Sequence, residues 1–303
     1  MFEHRYADVN NIRLHYVTAG KGKLRIFLHG FPEFWYEWKN QLAEFGRDYQ
    51  AVAPDMRGYN LSSKPADAEQ YKTKYLVEDI RALVEHLGHK KFILVAHDWG
   101  GGVAWPFAMR HPDCLEKLII INAPHPITFA RELRDNPAQQ KASQYILVHR
   151  TPQAEELLSK DNYAVLVSSV LEDGLKQGYF TEEDRKAYIE AWSQTGALTG
   201  GLNYYRAARL GPFSGESSEG LENLIANPSL TTVKVPTLVI WGDKDRYLLT
   251  GNLDGLDRYV PKLVIKRVPD GSHWVIHEKP ALVNSYIREF IEGTISLSAS
   301  VSK

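Results

Sequence analysis

The stretch VAHDWGG (residues 95–101) closes an apolar run, KFILVAHD (91–98), and leads at once into a helical pattern. A strand that turns sharply into a helix needs small residues beside the apex, because a side chain there would strike a neighbouring element. Ala96 and Gly100 meet that need and leave Asp98 at the apex. The spacing is that of G-x-S-x-G with Ala for the first Gly and Asp for Ser. No G-x-S-x-G occurs elsewhere in the chain. Two readings of Asp98 stand at this point: a nucleophile exposed on a strained turn, or a plain N-cap for the helix that follows.

Working outward, runs at 24–30, 49–55, 115–123, 237–245 and 262–270 join 91–98 as expected strands. Most are apolar at successive positions, as strands buried on both faces of a parallel sheet must be. Amphipathic helices lie between them. In YLVEDIRALVEHLG (75–88), Leu76, Ile80, Leu83, Val84 and Leu87 share a face and Gly88 is placed to end the helix. Pro280 can open a helix that Gly293 stops. The alternation predicts an α/β fold, a mostly parallel central sheet flanked by helices. From about Pro126 to about Thr231 the rhythm breaks into helical segments only. A structureless loop of that length is rare in a compact domain. The interval therefore reads as an inserted helical cap (128–229) on a core formed by residues 1–127 and 230–303, lying over the carboxyl ends of the strands, where open α/β sheets place ligands.

The bulk numbers exclude several classes. With 303 residues and a formal net charge of -1, the chain has no basic footprint for nucleic acid. It lacks any run of about 18 apolar residues, so no membrane-spanning helix is expected. Cys114 is the only cysteine, which rules out an intrachain disulfide and suits a reducing cytosol. The polar tail GTISLSASVSK (293–303) is expected to fray. There is no metal cluster or other cofactor motif; the triplet Gly100–Gly102 belongs to the sharp turn and is no nucleotide loop. Oligomeric state stays open between monomer and homodimer.

Two further stretches decide how Asp98 reads. HGFPEFWYEW (29–38) follows an early strand, where Gly30 lets the backbone approach closely and the Phe31 N–H, with that of Trp99, can form an oxyanion hole. WGDKD (241–245) and GSHW (271–274) follow late strands and bring Asp245 and His273 to the same sheet edge, in the order nucleophile, acid, histidine. Asp243 competes with Asp245, and His277 with His273. All three motifs in the right order favour the catalytic reading. A carboxylate attacking acyl carbon would make a high-energy anhydride; attacking saturated carbon, it makes an ordinary ester. His273, oriented by Asp245, then activates water to hydrolyse that ester. Asp98 thus points to displacement of a halide or opening of an epoxide. An epoxide oxygen leaves as an alkoxide and needs a proton donor, best a tyrosine; with sixteen tyrosines in the chain, only position counts.

Nearly the whole chain resembles the α/β-hydrolase-fold epoxide hydrolases, of the soluble bacterial type. The similarity runs through HGFPEFWYEW, DMRGYNLSSKP, VAHDWGG, INAPHP, QQKASQY, LNYYR, WGDKD and GSHW. It implies two ring-opening tyrosines in the cap, Tyr205 in LNYYR and Tyr145 in QQKASQY, with a small apolar epoxide as substrate. Tyr204 raises a register question, since adjacent helical residues point about 100° apart, and Tyr163 is the competitor of Tyr145. Haloalkane dehalogenases share HDWG, but many carry Asn where this chain has Phe31, whose ring cannot donate to a halide. Fluoroacetate dehalogenases place Arg after the nucleophile, where this chain has Trp99. Phe31 and Trp99 are also expected to line the substrate pocket, or else to be plain core, as is Trp105. A dehalogenase with the same nucleophile remains the alternative, and a non-catalytic receptor on this scaffold the second.

Overall fold

The computed structural model describes residues 2–208, 211–212 and 230–294. The expected cap residues 209–210 and 213–229, and the expected fraying from 295 onward, lie outside them.

Eight strands form one sheet: β1 (Glu3–Val9), β2 (Ile12–Ala19), β3 (Leu24–Leu28), β4 (Gln50–Pro54), β5 (Phe92–His97), β6 (Leu115–Ile121), β7 (Thr237–Gly242) and β8 (Leu263–Val268). Their order is β1-β2-β4-β3-β5-β6-β7-β8. The first two strands are a hairpin, β2 pairs antiparallel with β4, and all later pairings are parallel. The six expected strands are all present. Every residue of β3, β5 and β7 is buried, which requires cover on both faces of the sheet. That cover comes from helices such as Thr73–His86 against Trp99–Arg110, and Lys39–Phe45 against Pro280–Glu292. Gly88 and Gly293 follow the ends of two of them at φ +78°, the left-handed conformation that a side chain resists.

The β1–β2 hairpin was not among the expected strands. β1 is an edge strand whose first four residues are exposed, so it offers no apolar run to read. Its cue is the turn: Asn10 and Asn11 both take positive φ (46° and 61°), as a two-residue hairpin loop of the primed type demands.

Chain direction across the sheet reverses at β3, with β4 on one side and β5 on the other. Ligands in open α/β sheets bind outside the carboxyl ends of strands at such a switch point. Leu28 of β3 pairs with Ala96 of β5, so the two strands end level. Between β6 and β7 the described chain is helical, running from Pro126–Asp135 to Ala197–Ala208. Helix Glu182–Ser193 starts on a Thr181/Asp184 capping box. The segment Ala154–Leu166 is broken by three consecutive left-handed residues, Asp161, Asn162 and Tyr163. Helix Ala197–Ala208 packs on the single turn Ala68–Tyr71, which ties this insert to the sheet domain.

Candidate active site

The turn at Asp98 shows its strain. Asp98 sits at φ 47°, ψ −120°, a conformation that costs a non-glycine residue about 1–3 kcal/mol. It occupies the N-cap position of helix Trp99–Arg110, yet its side chain makes no capping hydrogen bond. The carboxylate turns away, and its Oδ1 accepts the Phe31 N–H at 2.8 Å. The neighbouring glycines allow this. A Cβ on Gly30 would stand 2.4 Å from that of Asp98, and one on Gly100 would stand 2.2 Å from the Leu28 carbonyl oxygen. Trp99 opens the helix, so its N–H is among the first-turn donors with no intrahelical acceptor.

Loops at the ends of β7 and β8 bring up the other two groups. His273 Nδ1 meets Asp245 Oδ2 at 2.7 Å, and Nε2 faces Asp98 Oδ2 at 3.7 Å. The competitors are engaged elsewhere. Asp243 takes a bond from Arg267, and His277 pairs with Glu33. Burial pushes the Asp245 carboxyl up, but His273 and the N–H groups of Leu248 and Tyr247 outweigh it and hold the carboxyl below its ordinary value.

Two supports escaped sequence reasoning. Asn122, just past β6, donates to Asp245 Oδ2 at 2.8 Å while its Oδ1 accepts the Gly242 N–H at 2.9 Å. It lies in the quoted INAPHP stretch, where nothing local tells its partner. Asn122→Ala is expected to lower unfolding free energy by about 2 kcal/mol, the worth of a buried hydrogen bond to a charged group, measured by denaturant titration. The second support is beneath His273. His97 Nε2–H donates to the His273 carbonyl at 2.9 Å, and its Nδ1 contacts Glu37. Burial and the nearby Glu33 charge raise Glu37 well above the ordinary carboxylate range. Ligand atoms of Glu33, Glu37 and His277 lie within 4.8 Å of one another, a spacing that a cation could use. All three are nonetheless engaged with protein: Glu33 with His277 and Tyr188, Glu37 with Gly30 and His97.

Above the carboxylate lie two cavities, of about 610 and 170 Å³, and Asp98, Tyr145 and Tyr205 border both. The larger arm is mainly apolar, with Pro106, Met109, Phe129, Ile146 and Leu248 in its wall. The smaller adds Phe31, His149, Trp274 and His273. Tyr205 meets Trp99 and Phe31 edge-on, with ring centres 5.0 and 5.3 Å away. Tyr145 and Tyr205 are 6.2 Å apart, ring to ring. The register question has a clear geometric answer: Tyr204 is turned the other way, its hydroxyl donating to the Arg57 carbonyl at 2.9 Å. Tyr163 donates to the Trp192 carbonyl at 3.3 Å and borders neither cavity. Trp105 is plain core, fully buried with its indole N–H on the Ala123 carbonyl. Burial, reinforced by nearby tyrosine and aspartate groups, raises both cavity tyrosines well above the ordinary phenol range.

A family model described as the alpha/beta hydrolase fold matches residues 26–280. The AB hydrolase superfamily protein YfhM of Bacillus subtilis is 40% identical over 291 residues, 95% of this chain and 97% of that protein. Epoxide hydrolase 2 of Caenorhabditis elegans is 35% identical over 298 residues, 96% and 80% of the two chains. Among solved structures, a mutant epoxide hydrolase from Bacillus megaterium complexed with its product superposes with a TM-score of 0.88 at 41% identity, over 95% of this chain and 100% of that one.

Proposed function

The chain belongs to the epoxide hydrolases of the α/β-hydrolase fold, and from that premise we propose that it converts an apolar epoxide and water to a vicinal diol through an ester on Asp98. The observation that carries this reading is the convergence of Tyr145 and Tyr205 on the cavity that Asp98 borders. In the first step Asp98 Oδ2 attacks a ring carbon. The C–O bond breaks, and its electron pair stays on an oxygen that takes a phenolic proton. In the second, His273 takes a proton from water and the hydroxide adds to the ester carbon. The charge formed on Oδ1 is held by the Phe31 and Trp99 N–H groups. Collapse breaks the acyl C–O bond, the departing diol oxygen takes the proton of the added hydroxyl so that Asp98 returns as a carboxylate, and the histidine's proton restores the tyrosine. The insert at 128–229, helical over most of its described residues, acts as the cap that carries the proton donors. Raised phenol pKa values suit this role, because both groups remain protonated throughout the neutral range.

Among the described residues no helix is long and apolar enough to cross a membrane. With the single Cys114, this supports a cytosolic site of action.

The test is a paired assay. The purified protein should hydrate styrene oxide faster than it releases halide from 1-bromobutane. The opposite order would make it a dehalogenase with the same nucleophile, and inertness toward both would favour a receptor.

A further inference from the structure

Besides Ser169 and Tyr247, the smaller arm of the active-site cavity holds a polar side chain that the chemistry above does not use, His149. His149 ends helix Gln144–His149, one turn beyond Tyr145, so the two share a face. Its ring stands among three aromatic rings, with centres 5.1 Å from Phe31, 5.3 Å from Tyr145 and 4.8 Å from Tyr205. The rest of that arm is largely apolar, with Leu158, Val165, Leu166 and Trp274 in the wall. Nδ1 of His149 is buried and meets no hydrogen-bond partner among the described residues. An unused buried polar group is costly. Phenylalanine or leucine could fill the same aromatic niche without that cost. Burial lowers the imidazole to about 4, so at neutral pH it is uncharged and offers one donor and one acceptor.

We propose that His149 is a specificity-determining residue that hydrogen-bonds an oxygen carried on the carbon next to the oxirane. On this assignment the site takes 2,3-epoxy alcohols and their ethers in preference to hydrocarbon epoxides of the same shape. The reach is set by position. The His149 ring packs on both tyrosines that would hold the epoxide oxygen, so the assignment gives it a partner atom close to the oxirane. The oxygenated substituent occupies the smaller arm, and the apolar remainder of the substrate fills the larger one. The inference rests on the epoxide reading above and adds a substrate class to it.

The experiment compares trans-2,3-epoxyhexan-1-ol with trans-3,4-epoxyheptane, in which a methyl replaces the hydroxyl. The readout is the ratio of their kcat/KM values in the wild type, His149→Leu and His149→Gln, so that any general loss of activity cancels. His149→Leu should lower the alcohol-to-hydrocarbon ratio about tenfold, the worth of one buried hydrogen bond. His149→Gln keeps a donor and an acceptor and should retain most of the preference. An unchanged ratio in His149→Leu overturns the assignment. Wild-type protein that hydrates neither epoxide sinks the parent reading, an outcome distinct from hydration of both at an unchanged ratio.

Discussion

His273→Gln is expected to halt the reaction half-way, with one equivalent of substrate bound to Asp98 as an ester. The first step needs Asp98 Oδ2 as nucleophile and a phenol as acid, and the substitution touches neither. Glutamine has roughly the reach of histidine and can still donate a hydrogen bond to Asp245, but it cannot take a proton from water. Loss of a general base typically costs about 10²–10⁴ in rate, and here the whole loss falls on ester hydrolysis. Turnover should therefore drop by ~10³ or more while alkylation stays within reach of the wild-type rate. Intact-protein mass should rise by the mass of one epoxide, and digestion should place the addition on the peptide containing Asp98. An adduct on another residue, or no adduct at all, would falsify the covalent mechanism.

The double replacement Tyr145→Phe, Tyr205→Phe carries the other large effect, on the opposite half of the cycle. Without a proton donor the departing oxygen must leave as a bare alkoxide in an apolar cavity. A single change should slow ring opening only about 10-fold, and the pair about 10⁴-fold, since each phenol can partly replace the other. The ring contacts to Phe31, Trp99 and Tyr247 do not depend on the hydroxyls, so thermal stability should hardly move. Transferring both changes into the His273→Gln background isolates the alkylation step, and adduct formation there should slow by the same factor. Slow adduct hydrolysis with unchanged formation would assign the tyrosines to the wrong step. Because burial raises both phenols well above their ordinary value, the acid form persists as pH rises, and their ionisation should impose no loss of activity between pH 7 and pH 9.

The sequence displayed six of the eight strands and the sharp turn because an apolar run and a turn are both local. β5 is an apolar run, and Ala96 and Gly100 flank Asp98 within five residues. Asp245 and His273 were legible for a related reason: each follows a strand, and parallel strands deliver their carboxyl ends to one edge. What stayed hidden were pairings made across long separations. Asn122 and Asp245 are 123 positions apart, and Glu37 and His97 are 60 apart. Nothing beside either residue names its partner. The tyrosines fall between these cases. LNYYR shows that a tyrosine is there, but the packing of helix Ala197–Ala208 on the turn Ala68–Tyr71 decides that Tyr205 and not Tyr204 turns toward the carboxylate. His149 was overlooked among eleven histidines, since its setting is made by rings from three separate stretches of chain.

The two oxygens of Asp98 are held differently: Oδ1 by the Phe31 amide, Oδ2 on the side of His273. On the proposed mechanism this asymmetry gives them separate fates. Oδ2 departs with each diol, and the water that His273 activates supplies its replacement in the same place. Oδ1, pinned by the amide, is never spent. The protein is thus a reagent in its own reaction, contributing an atom to every product and recovering it from solvent. A working molecule keeps one carboxylate oxygen from its synthesis and renews the other at every cycle.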